Sequence, residues 1–119
     1  MPTDLTNFAQ VQEFFNQFIQ QNSITVGKPH LEFWNLDYTA FVTGNVPNVV
    51  DPTNKNPIPI LKKGDGAHSN IVYALCGTAN TLWDPNNATG FGQMPPGGPY
   101  FTAEQIRQLI GWIDAGCPQ

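Results

Sequence analysis

Residues 94–118 read MPPGGPYFTAEQIRQLIGWIDAGCP, and no other stretch restricts the fold as much. Pro95, Pro96 and Pro99 fix the backbone of a loop that Gly97 and Gly98 allow to turn tightly. Thr102 and Gln105 then have the spacing of a capping box, and Glu104 suits the positive end of a helix dipole. Ile106, Leu109, Ile110 and Ile113 recur at helical steps, so the helix has one face to bury. Gly116 ends it and Pro118 prevents its return.

A helix with one apolar face needs partners, and the chain supplies them upstream. Residues 4–22 read as a helix in which Phe8, Val11, Phe15 and Phe18 form a stripe widened by Phe14 and Ile19, with Asp4 or Thr6 as its cap. Residues 37–43 predict a short helix capped by Asp37 and ended by Gly44, with Tyr38, Phe41 and Val42 turned inward. Ser69 is placed to cap a third helix over residues 71–76, with Gly77 in the left-handed position after it. Residues 44–60 hold four prolines and four asparagines, which predicts a surface loop, and residues 78–92 read as turns around Trp83. Repeats, a hairpin turn flanked by alternating strands and a linker are all missing. The expectation is an all-α single domain over residues 1–119, with about four short helices joined by long Pro/Gly/Asn-rich loops.

Charge narrows the function. Only 12% of the 119 residues are charged, about half the usual share, and the net charge is −4. Lys62-Lys63 is the sole basic pair, so nucleic acid is not an expected partner. No apolar run approaches the roughly 18 residues that a bilayer span needs, so no membrane insertion is expected. MPTDLTNFAQ lacks a basic segment leading into an apolar one, so as written it carries no secretory signal. A mature exported chain with an added initiator methionine would read the same way, and localisation stays open between that and the cytoplasm.

GQMPPGGPYFTAEQIRQLIGWIDAGCP resembles the C-terminal end of class I cytochrome c-like domains, where a methionine-proline loop precedes a Ser- or Thr-capped helix ending in W-I-x-x-G. GDGAHSNIVYAL resembles the G-D-x-x-x-S turn and short helix upstream of that loop in the bacterial branch. The resemblance is weak before residue 60 and specific after 90. It implies a cytochrome c-like fold with the N- and C-terminal helices packed together, in an oxidoreductase setting.

One departure governs the functional reading. Family members attach haem through C-x-x-C-H, and here the matching segment is Val26-Gly27-Lys28-Pro29-His30. Both thioether-forming cysteines are missing, so covalent attachment at this motif is excluded, although the histidine is retained. The resemblance still leaves His30 and Met94 as axial ligands of a noncovalently held haem iron, with Trp34, Tyr38, Phe41, Trp83, Tyr100 and Phe101 as pocket walls. Without haem, side chains must fill the centre, and three tryptophans and eight phenylalanines offer the bulk.

Other chemistry has less behind it. His30 and His68 could share a metal, but they lack the close spacing of a zinc site. Asp51 and its neighbours lack the alternating ligands of a calcium loop. Cys76 and Cys117 could form one disulfide or remain thiols. No residue constellation supports catalysis, and GDGAHSN lacks the lysine of a nucleotide loop. The expected function is a haem-free, noncatalytic accessory or binding module with no cofactor, docking to a protein such as a redox enzyme through an amide-rich surface. The alternative is a small electron carrier with noncovalent haem on His30 and Met94.

Overall fold

A computed structural model of the chain describes residues 5–24, 33–88, 90–95 and 98–119. Helix α1 runs Phe8–Gln21 and buries Phe8, Val11, Phe15 and Phe18 along one side. Its cap is Asn7, whose side chain accepts a hydrogen bond from the Gln10 backbone N–H at 2.9 Å, and not Asp4 or Thr6. Thr6 instead donates to the Gln10 side chain just outside the helix.

The chain resumes in a single 3-10 turn, Phe33–Asn35, which buries Trp34. Helix α2, Tyr38–Thr43, follows with Asp37 as its cap, accepting from the Ala40 N–H at 2.8 Å. Phe41 and Val42 are its buried residues.

Here the all-α expectation is overturned. Residues read as a loop form two strands, β1 (Asn45–Val50) and β2 (Pro57–Pro59), paired antiparallel in a two-stranded ribbon. Asn45 pairs with Pro59 and Val50 with Pro57, with an irregularity between them. A two-stranded ribbon leaves each strand one open edge, where a proline's missing N–H breaks no ladder bond. Ile58 between two exposed prolines is buried, and Val46 of β1 packs against the core. The tip is closed by Asp51, whose N–H donates to Asn56 and whose carbonyl accepts from Lys55. The protein is therefore mixed helix and sheet.

A second 3-10 turn, Gly66–His68, leads into α3, Asn70–Cys76. Gly77 ends α3 in the left-handed conformation, φ 59° and ψ 45°, as its position predicts. Ser69 occupies the N-cap position but makes no side-chain cap. Fully buried, its hydroxyl accepts from the Lys62 N–H at 2.8 Å and donates to the Asp65 carbonyl at 3.0 Å, so it stitches the turn before the helix.

Helix α4, Ala103–Asp114, carries the complete capping box of Thr102 and Gln105. Its buried face is Ile106, Leu109, Trp112 and Ile113, with Gln108 beside them, and Ile110 is only partly covered. The 3-10 turn Gly66–His68 and α3 both lie against α4, and α1 meets it through the Phe8 and Trp112 rings, 6.4 Å apart. The tail folds back: Trp112 Nε1 donates to the Pro118 carbonyl at 2.9 Å, and the Tyr38 hydroxyl donates to the Cys117 carbonyl.

Candidate functional site

The segment leading to α4 is anchored on the end of α3. A helix leaves its last carbonyls without partners inside the helix. Here the Met94 N–H donates to the Ala74 carbonyl at 2.8 Å, and Gln93 Nε2 donates to that of Leu75 at 3.1 Å. Gly77 permits this approach, since a Cβ there would lie 2.9 Å from the Gln93 side chain. Met94 is thus held half-buried at a defined place. His30, its expected counterpart, lies outside the described residues.

Of the six rings expected to wall a haem, Trp34, Tyr38, Phe41 and Phe101 lie in or against the main core, and Trp83 and Tyr100 lie outside it. Trp34, Phe41 and Phe101 belong to the main core. Trp34 stacks on Phe15 of α1 at 5.1 Å between ring centres, and Phe101 stacks on Phe18 at 3.7 Å. Phe41 packs against both Phe8 and Trp112, at 5.5 and 6.3 Å. Tyr38 meets Phe8 edge-on and holds the C-terminal tail. Trp83 is buried elsewhere, 6.0 Å from the ring of Phe91, and Tyr100 is 45% exposed. Three of the expected walls, Trp34, Phe41 and Phe101, are thus packed directly against helix side chains. Trp34 is also fixed at its polar edge, where Nε1 donates to Asn16 Oδ1 at 2.8 Å and Asn16 and Asn35 exchange amide bonds.

The acidic side chains have local tasks. Asp51 accepts from the Thr53 hydroxyl and N–H at 2.6 and 2.8 Å, bonds that hold its carboxyl below the usual range. Asp84 is lowered by the N–H groups of Asn86 and Asn80, which it organises into a turn. Arg107 lowers Glu104 by a two-point hydrogen bond at 2.6 and 2.9 Å. Asp114 accepts from the Gly66 N–H at 2.7 Å, joining α4 to the turn before α3.

Asp65, His68 and Ser69 are the arrangement that most nearly suggests catalysis. His68 Nδ1 lies 2.9 and 3.1 Å from the two Asp65 oxygens, and that bond lowers the Asp65 carboxyl. The Ser69 hydroxyl, however, is buried and donates to the Asp65 carbonyl rather than to His68, so no activated nucleophile results. The Asp65–His68 pair was not anticipated, though its i,i+3 spacing in DGAH is visible. Among the described residues no group of three or more His, Cys, Asp or Glu is placed to hold a metal ion.

Cys76 and Cys117 are free thiols. Cys76 is exposed and Cys117 is fully buried. Desolvation raises both thiols, in Cys117 against the opposing pull of Lys63, which is the reverse of activation. Among the described residues no helix is long and apolar enough to cross a membrane. Comparison with family models, curated proteins and solved structures found no match to this chain.

Proposed function

We propose that the chain is a haem-free, noncatalytic binding or accessory module, related through its C-terminal segment to cytochrome c-like domains and working beside a protein partner, a redox enzyme by the resemblance. The observation that carries this reading is the packing of Trp34, Phe41 and Phe101 against Phe8, Phe15, Phe18 and Trp112. This packing supports a centre filled by side chains rather than by a porphyrin. Stacked and edge-on ring pairs are worth about 0.5–1.5 kcal/mol each beyond the area they bury, so inserting a large planar group means separating favourable contacts. The local engagement of Asp51, Asp65, Asp84, Glu104 and Asp114 supports the noncatalytic part. The sparse charge of the chain supports docking to a protein over docking to a polyanion.

Titration with haemin tests the proposal. The expected result is no saturable Soret band and no charge-transfer band from methionine-ligated iron. Stoichiometric binding that His30→Ala and Met94→Ala each abolish would overturn it in favour of a noncovalent electron carrier.

A further inference from the structure

We draw no further inference here: the strongest candidate, the buried side chain of Gln108 on α4, whose Nε2 has no hydrogen-bond partner, is sealed from solvent, and nothing in the structure shows a ligand or partner group that it would meet.

Discussion

Gly66 is where a single atom decides how closely two parts of the chain approach. A Cβ there would lie 2.8 Å from both the Cα and the carbonyl oxygen of Ile110 on α4, and backbone cannot step aside as a side chain can. The same residue's N–H is held by Asp114, so the turn before α3 is docked on α4 by contact and by a hydrogen bond. Gly66→Ala should therefore destabilise the fold by about 1–3 kcal/mol, the usual cost of overpacking. Thermal unfolding measures it. Gly64→Ala provides no simple control, because Gly64 has a positive φ of 83° and is strained for a different reason. Gly111 on α4 serves better: it lies in open space, and Gly111→Ala should leave stability unchanged or raise it by about 0.5–1 kcal/mol through helix propensity. An unchanged midpoint for Gly66→Ala would show that α4 can move away from the turn.

Helix ends and loop tips rest on short-range bonds that acid can break. Asp51, Asp65, Asp84 and Glu104 all have carboxyls held below their ordinary values of 3.8 for aspartate and 4.5 for glutamate. A lowered folded-state pKa means that the folded protein binds the proton less well than the unfolded chain does. Stability from these groups is thus complete above the ordinary values and is lost as pH falls through and below them. Denaturant midpoints should be flat from about pH 7 to pH 5 and decline below about pH 4.5. Asp84→Asn should flatten part of that decline, because an amide does not titrate there, and should lower the plateau, because it offers one oxygen to the two backbone N–H groups that the carboxylate accepts. An equally steep decline in the variant would remove Asp84 from the explanation. Local bonds of this sort were legible beforehand at Thr102, Gln105 and Asp37, where the capping partner lies within three residues. The ribbon was not legible, since no tight two-residue turn joins its strands and Pro47, Pro57 and Pro59 each read as a strand breaker. Only the fold reveals that they stand on a two-stranded ribbon whose open edges tolerate them. Ser69 misled for a related reason: its hydroxyl bonds backward to Lys62 and Asp65, so a sound cap position holds no cap.

At the scale of the molecule, the C-terminal tail joins segments that lie far apart in the chain. The stripe of α1 was readable from periodicity, but that it would meet Trp34, Phe41 and Phe101 ring against ring was not, because contacts between distant segments leave no local pattern. Nor could spacing place Trp83 with Phe91 or leave Tyr100 exposed, which is why those two stand apart from the other four expected wall residues. Cys117 reports on this long-range closure. Its thiol is fully buried, and its carbonyl accepts from the hydroxyl of Tyr38, 79 residues earlier. Cys76 is exposed at the end of α3. In the native protein without reductant, a thiol reagent should modify Cys76 first, slowly at neutral pH because desolvation raises its thiol, while Cys117 waits for an opening of the tail. After unfolding, still without reductant, two thiols per chain should react, and fewer would reveal a bridge between Cys76 and Cys117. Tyr38→Phe removes one hydrogen bond and keeps the ring on Phe8, so the tail should open more often. A net loss of about 0.5–1.5 kcal/mol predicts roughly a 2- to 12-fold faster reaction of Cys117. The rate at Cys76, on α3, should not change. Equal acceleration of both would mean that both thiols react only through opening of the whole fold, and no acceleration at Cys117 would mean that the Tyr38 bond does not hold the tail.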